Sequence, residues 1–380
     1  MPRPASLPAF LPGRASADEV SDLKVGMDFR LPQYRREVFL RFYEFHLKYR
    51  THPGLVYLLM PGLADHRKWS SEQRYWFAYI NGNTQNPVTS LLIFNRFPTM
   101  RHSTTALAEW FNSNYARLAF DMDRRYQKKE FLKAVNDYRT KIGNRTQTAW
   151  FTEHASKGWG HLWKTVRDFA HFGRLSTWSY LEYLSIAGLL TEPEDLMLVD
   201  MSGSKSHRNG LCKVLGRDDL DWHKSNSAKF EGGYPPETMK WLKSEQFHLL
   251  ADAKNRLRDT EYYPTVNFFT LESALCTYKS WHRVNRRYPN CYSDMLHDRI
   301  KAAEQLWPEE DLSIFWDLRN NTLPQRLRQE DTIGDPGLSR EKQNYYRLNG
   351  CPVMLSGDWP CFENAFDVRL GIRNEPVRDI

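Results

Sequence analysis

The chain has 380 residues, of which 41% are hydrophobic and 14% aromatic, and its 53 Lys and Arg exceed its 46 Asp and Glu, giving a formal charge of +7. This composition excludes a collagen-like, low-complexity or wholly disordered chain, and the length suffices for one large domain or two ordinary ones. The positive charge favours a polyanionic partner, and no apolar run approaches the roughly 18 residues that a bilayer span requires.

The predicted architecture is mainly α-helical. Residues 1–30 are rich in Pro, Ala and Ser and lack periodicity, which predicts an extended N-terminal arm. From 31 to 305, apolar residues recur at helical spacing without βαβ alternation, which predicts a helical body that could divide into two lobes near residue 150. Pro and Gly interrupt residues 306–380, so we expect an irregular C-terminal segment that packs on the body through its aromatic residues.

Capping residues and apolar spacing place a series of helices within the body. One begins at Asn86-Pro87, because Asn is a good N-cap and Pro suits the first helical position. Residues 171–174 interrupt another, which predicts a helix, a Gly-containing turn and a second helix. The predicted helices cover about 35–49, 87–97, 104–118, 131–138, 157–170, 176–187, 236–258 and 268–287.

Common catalytic motifs are absent from the sequence. It contains no Walker phosphate loop, dinucleotide-binding glycine fingerprint, zinc-protease histidine pair or nucleophile elbow. The five cysteines are odd in number and form no C-x-x-C pair, so neither a disulfide framework nor a closed metal site is indicated, and a reducing cytoplasm fits best. Candidate chemistry therefore rests on five polar segments that do not read as simple helix faces.

The first segment is the run of amides at residues 81–86. Amide side chains pair donors with acceptors, so Asn81, Asn83 and Gln85 could read the edge of a base, and the intervening glycine would allow close backbone approach. The alternative is a turn followed by a helix cap.

The second segment, residues 121–129, places two carboxylates before four cations. Asp121 and Asp123 could supply a base or a metal site, and Arg124 and Arg125 could bind a polyphosphate. The alternative is a solvated helix start, since acids at the beginning and bases after it also suit the helix dipole.

The third segment is the turn at Gly173 and Arg174. Backbone N–H groups at a helix N-terminus attract phosphate, so this turn could contact a DNA backbone. An ordinary corner between two helices is equally consistent with a single glycine.

The fourth segment covers residues 202–210 and continues through 217–224. It combines small hydroxyls, cations and carboxylates with two histidines, the composition of an active-site loop. Lys205 and Arg208 would form a cationic half for phosphates, and His207 would belong to a half that transfers protons. Caps and turns in a loop, short helix and loop are the alternative.

The fifth segment, residues 279–288, carries four permanent cations and no acid. Arg283, Arg286 and Arg287 could bind a phosphate backbone at a helix end, and the alternative is a solvated basic helix end. Glu272 lies seven residues before Lys279, on roughly the same helix face. Glu272 could pair with Lys279 or act as a buried base.

Taken together, these segments resemble the phage amino acid:DNA transferases, also described as α-glutamyl/putrescinyl-thymine pyrophosphorylases. The resemblance spans about residues 34–300. It rests on residues 35–45 (RREVFLRFYEF), 81–98, 158–160 (GWG), 173–178 (GRLSTW), 206–210 (SHRNG) and 286–289 (RRYP).

The resemblance implies both a fold and a reaction. The fold would be helical and DNA-glycosylase-like, built of helix–turn–helix units, although the single Gly173 departs from the usual two-glycine hairpin. The enzyme would displace pyrophosphate from 5-(pyrophosphoryloxymethyl)uracil in double-stranded DNA with the amine of a free amino acid such as glycine or serine. It would act in the cytoplasm of an infected bacterium. No cofactor would be required, although Mg²⁺ could assist.

This reaction gives the candidate residues specific roles. Pyrophosphate needs cations, the attacking ammonium must lose a proton, and the target base must leave the helical stack, with Trp163, Trp178 or Trp222 as a stacking platform. The catalytic candidates are Asp121, Asp123, His207 and Glu272; the pyrophosphate-binding candidates are Arg124, Arg125, Lys205 and Arg208; the base-reading candidates are Asn81, Asn83 and Gln85; the DNA-binding candidates are Gly173, Arg174, Arg283, Arg286 and Arg287.

Two other functions fit the same residues. A base-excision DNA glycosylase would keep the fold and release a free base. A non-catalytic DNA-binding phage protein would need only the positive charge.

Overall fold

The computed structural model describes residues 32–50, 56–202, 205–222, 233–279 and 295–323. These residues form helices and no β-strand, which confirms the predicted mainly α-helical fold. The α-helices are α1 (Pro32–Tyr49), α2 (Val56–His66), α3 (Ser71–Thr84), α4 (Pro87–Arg96), α5 (Thr104–Ser113), α6 (Phe131–Ile142), α7 (Gln147–Ala155), α8 (Trp159–Arg167), α9 (Arg174–Ile186), α10 (Ser206–Val214), α11 (Pro236–Leu257), α12 (Phe268–Tyr278), α13 (Met295–Leu306) and α14 (Ser313–Thr322). Short 3₁₀ helices include Tyr115–Arg117, Met122–Glu130, Asp218–Leu220 and Tyr263–Thr265.

The described residues fall into two compact units. The first unit takes its members from residues 1–53, 195–295 and 323–380, and the second from 54–194 and 296–322. This division runs elsewhere than the predicted split near residue 150. The predicted N-terminal arm lies outside the described residues, as does most of the predicted C-terminal segment.

The second unit is built around α3. Ser70 and Gln73 form a capping box that fixes the start of this helix. From Tyr75 to Thr84 every residue of α3 is buried, so the helix is enclosed on all sides. A Cβ on Gly82 would lie 3.3 Å from the Cβ of Tyr180 in α9, which shows how closely the two helices pack.

In the first unit, α1 packs against α10, α11 and α12. The Tyr278 hydroxyl at the end of α12 donates to the carbonyl of Arg35 in α1 at 3.2 Å. The Arg35 guanidinium donates both to Asp218 Oδ1 at 2.8 Å and to Asp218 Oδ2 at 3.0 Å. Burial alone would raise the pKa of Asp218, but the hydrogen bonds from Arg35 and Lys213 outweigh it and hold that pKa at about 2. These contacts fix α10 and α12 relative to α1.

Several predicted elements are confirmed, and others are corrected. Asn86 caps α4, with Pro87 at its first position, and α11 closely matches the predicted range 236–258. The polar run from Asn81 to Thr84 is the last turn of α3 rather than a turn between elements. The predicted irregular segment from 306 contains the regular helix α14, whose Ile314 and Phe315 are buried. Among the described residues, no helix is long and apolar enough to cross a membrane.

Candidate active site

The fourth polar segment forms the start of α10. Ser206 is the first residue of this helix, so His207, Arg208 and Asn209 occupy its first turn rather than a loop. The N-cap residue, Lys205, makes no side-chain capping hydrogen bond, and the N–H groups of a first turn have no partner within the helix. The Lys279 ammonium donates to the Ser206 hydroxyl at 2.6 Å and brings a positive charge to the same end of α10. This end of the helix is therefore suited to an anion.

A buried acid–base pair lies between α10 and α12. His207 Nδ1 and Glu272 Oε1 are 3.7 Å apart, and their side chains are 0% and 6% exposed. Gly210, one turn after His207, allows the approach, because a Cβ there would overlap the carbonyl group of Leu275, one turn after Glu272. The backbone contact thus brings together two predicted catalytic residues that lie far apart in the sequence.

Trp222 is held by the same turn of α10. The Asn209 side-chain amide donates to the Trp222 backbone carbonyl at 3.2 Å, and the Trp222 backbone N–H donates to Asn209 Oδ1 at 3.1 Å. Lys205 Nζ lies 4.3 Å from the centre of the Trp222 ring and the Arg208 guanidinium 5.5 Å from it. Trp222 is thereby a half-buried aromatic surface with two cations beside it.

Arg208 is fully buried beneath this surface. Its Nη1 donates to the Leu198 carbonyl at 3.3 Å, and its guanidinium lies 5.7 Å from the ring of Tyr234. Burial raises the pKa of the neighbouring Cys212 thiol to about 12. This thiol is therefore protonated at neutral pH and is a poor nucleophile, which leaves the histidine and the carboxylate as the reactive groups of this cluster.

The carboxylate of Asp121 in the second unit is engaged by neighbouring residues. Its Oδ2 forms an ion pair with Arg299 Nε at 2.6 Å and accepts a hydrogen bond from the Asn86 amide at 3.2 Å. Both contacts favour a structural role over that of a general base. The side chain of Asp123 lies outside the described residues.

Arg124 and Arg125 are neighbours in the sequence, but the first is buried and the second is exposed. Arg124 is buried and donates to the Asn83 carbonyl, Asn83 Oδ1, the His171 carbonyl and the Ser176 hydroxyl. Protein acceptors already engage this guanidinium. The structure therefore corrects the prediction that Arg124 binds pyrophosphate, because this side chain instead joins Asn83 of α3 to Ser176 of α9. Arg125, the next residue, is exposed.

The predicted base-reading amides are buried in the core of the second unit. Asn81 Oδ1 accepts from Ser90, Asn83 Oδ1 accepts from Arg124, and Gln85 Oε1 accepts from the Tyr183 hydroxyl at 2.9 Å. All three side chains are at most 6% exposed. In this structure they hold helices together and do not face a base.

The predicted DNA-binding turn is only partly accessible. Gly173 is the N-cap of α9, but the Arg174 side chain is fully buried between Trp163 and Trp178, at 5.9 and 5.4 Å from their rings. Arg174 is thus a core cation, and Trp163 and Trp178 are core residues rather than stacking platforms. Arg283, Arg286 and Arg287 lie outside the described residues.

Two positioning contacts of the candidate site were not predicted as such. One is the pair of hydrogen bonds between Asn209 and the Trp222 backbone, and the other is the hydrogen bond from Lys279 to Ser206. The spacing of these residues in the sequence forms no recognisable motif. Within the described part of the chain, no group of three or more His, Cys, Asp or Glu side chains could hold a metal ion.

Comparison with known proteins places this cluster within a matched region. Residues 59–288 match the sequence model of the family described as amino acid:DNA transferase. The chain is also 29% identical over 300 residues to a serinyltransferase of Salmonella phage ViI, across 75% of this chain and 72% of the relative. No solved structure matches.

Proposed function

We propose that this chain, which belongs to the amino acid:DNA transferase family, displaces pyrophosphate from 5-(pyrophosphoryloxymethyl)uracil in phage DNA. The displacing group is the amine of an amino acid. In this reaction the bond between the exocyclic methylene carbon and the pyrophosphate oxygen breaks, and a carbon–nitrogen bond forms. The substrate ammonium gives up a proton before it attacks. The enzyme must therefore supply a base and a site for an anionic leaving group.

The observation that carries this proposal is the convergence of both functions at the start of α10. Lys205 and the N-terminus of the helix provide positive charge for the developing pyrophosphate, and the fully buried Arg208 adds to this positive potential from beneath Trp222 without contacting the leaving group. The pair of Glu272 and His207 is the base that receives the proton. Exclusion of water around this buried pair strengthens its electrostatic interactions.

Trp222 is the stacking surface for the extruded base in this proposal. A target nucleotide that leaves the duplex needs an aromatic or apolar partner, and Trp222 lies beside the cations Lys205 and Arg208. The Asn209 contacts to its backbone hold the ring in place.

Serine is the first amino acid to test, because the similar phage ViI protein bears the name serinyltransferase; glycine is the second. The reaction would take place in the host cytoplasm, where phage DNA is modified. It needs no cofactor in this account, and activity in the presence of EDTA tests whether Mg²⁺ assists.

The test is direct detection of the product. Purified protein is incubated with duplex DNA containing 5-(pyrophosphoryloxymethyl)uracil and a pool of amino acids, and the DNA is digested to nucleosides for mass spectrometry. The proposal predicts an amino acid adduct of thymidine and release of pyrophosphate. Abasic sites would indicate a glycosylase instead, and unchanged nucleosides despite DNA binding would indicate a binding protein.

A further inference from the structure

The 3₁₀ helix Met122–Glu130 has an unusual backbone. It is nine residues long, whereas 3₁₀ runs longer than three or four residues are uncommon. Met122 at its start has a φ of 51°, a left-handed value that non-glycine residues rarely adopt. Such a conformation persists only where the surroundings impose it. The four hydrogen bonds from buried Arg124 to Asn83, His171 and Ser176 supply that restraint.

The opposite side of this segment carries cations beside exposed aromatic rings. Tyr126 is 69% exposed, and the Arg125 guanidinium lies 5.1 Å from the centre of its ring. Lys129 is also exposed and follows Tyr126 by three residues, the spacing at which 3₁₀ side chains eclipse. Next to them, Lys128 Nζ lies 4.2 Å from the ring of Tyr115, which is 39% exposed. We name Arg125, Tyr126 and Lys129 the outer face.

No acidic side chain that the structure describes pairs with the cations of the outer face. Within the described residues, neither Arg125 nor Lys129 forms an ion pair. Two neighbouring acids that the structure describes have other partners, because Asp121 pairs with Arg299, and Glu130 lies 3.5 Å from His171. Unpaired cations around a solvent-exposed tyrosine are suited to a polyanion that also offers flat surfaces for stacking.

We propose that the outer face binds the DNA substrate outside the reacting nucleotide. Arg125 and Lys129 contact backbone phosphates, and the Tyr126 ring packs against a sugar or base edge. This assignment rests on the proposed function only in taking DNA as the substrate. It gives Arg125 a role in DNA binding instead of pyrophosphate binding, and it makes Arg124 the anchor that presents the face.

The test measures binding of a short unmodified duplex as a function of salt, so no reaction is involved. The double variant R125A/K129A removes two phosphate contacts, and the slope of log affinity against log salt should fall by about 1.8, or 0.9 per contact. The control K164A/K240A removes two exposed cations from α8 and α11 and should leave most of the slope unchanged. Y126A should weaken binding about tenfold at constant slope, as expected for a lost stacking contact.

Equal slopes for R125A/K129A and the control would overturn the assignment, provided that both variants unfold at the wild-type temperature. A Y126A variant that binds the duplex with wild-type affinity would overturn the stacking role of Tyr126. Because the duplex is unmodified, failure of the transferase chemistry would leave this binding result intact, and failure of the outer face would leave the chemistry untouched.

Discussion

Gly210 in α10 lies directly against the backbone of Leu275 in α12, with no room for a side chain between them. One turn earlier on each helix, His207 and Glu272 face each other. The glycine therefore determines how closely the imidazole and the carboxylate can approach.

Replacing Gly210 by Ala should separate α10 from α12. A new methyl group that meets the Leu275 carbonyl forces the backbone to move, and overpacking of this kind costs about 1–3 kcal/mol. We expect a lower melting temperature and loss of transferase activity. The matched control is Gly160→Ala in α8, where a Cβ meets nothing within 4 Å and Ala should stabilise the helix. A G210A enzyme with full activity would contradict the role of the close contact.

Replacing Glu272 by Gln should remove the proton acceptor without changing the size of the side chain. General-base catalysis typically contributes 10²- to 10⁴-fold, so we expect kcat to fall by about that factor while affinity for substrate DNA stays the same. His207→Asn should act in the same direction. The pH profile of the residual activity distinguishes a lost base from misfolding, because a merely structural role would leave the profile of the remaining activity unchanged.

Replacing Lys205 by Ala should weaken pyrophosphate binding. A hydrogen bond to a charged group contributes about 1.5–3 kcal/mol, so inhibition by added pyrophosphate should require roughly ten- to 100-fold more inhibitor. The measurement is the inhibition constant of inorganic pyrophosphate in the transferase assay. Lys240→Ala, an exposed cation of the same unit, serves as the control. Equal inhibition constants for the two variants would place the leaving-group site elsewhere.

The neighbouring residues Arg124 and Arg125 should respond differently to the same substitution. Arg124→Gln leaves several buried acceptors without a partner, and the free energy of unfolding should fall by about 3 kcal/mol. Arg125→Gln changes an exposed side chain and should shift it by no more than about 0.5 kcal/mol. Chemical denaturation of both variants provides the comparison, and equal losses would show that Arg124 is not an anchor.

His102 should make the second unit sensitive to acid. Burial lowers the pKa of His102 to about 4 from 6.5, so below about pH 6.5 the unfolded chain binds a proton that the folded chain does not. Stability is fully present above the unfolded pKa and falls as the pH drops from about 6.5 towards 4. Unfolding measured at several pH values should show a steeper decline for the wild type than for His102→Gln. Parallel curves would exclude this contribution.

Local signals predicted the parts of the fold that depend on neighbouring residues. Asn86-Pro87 specified the start of α4, because a cap and a fixed φ act within one turn. In contrast, α3 lacks an amphipathic pattern because it is buried on all sides from Tyr75 to Thr84. The sequence of its polar end therefore predicts base-reading amides or a turn, and not the last turn of a buried helix.

The candidate site could be predicted in composition but not in geometry. The sequence indicated His207, Arg208, Lys205 and Glu272, but the pairing of His207 with Glu272 depends on two helices that meet at Gly210. The sequence also could not predict that Arg124 is buried and Arg125 exposed. Both are arginines in one charged run, and only tertiary contacts decide which of them is buried.

The most direct test of the proposed reaction is to measure the masses of the nucleosides released from DNA containing 5-(pyrophosphoryloxymethyl)uracil after incubation with the protein and serine. We expect a serine adduct of thymidine, formed by the wild type and formed about 10²- to 10⁴-fold more slowly by Glu272→Gln. Nucleosides that remain unchanged with every amino acid offered, although the protein binds the DNA, would contradict it.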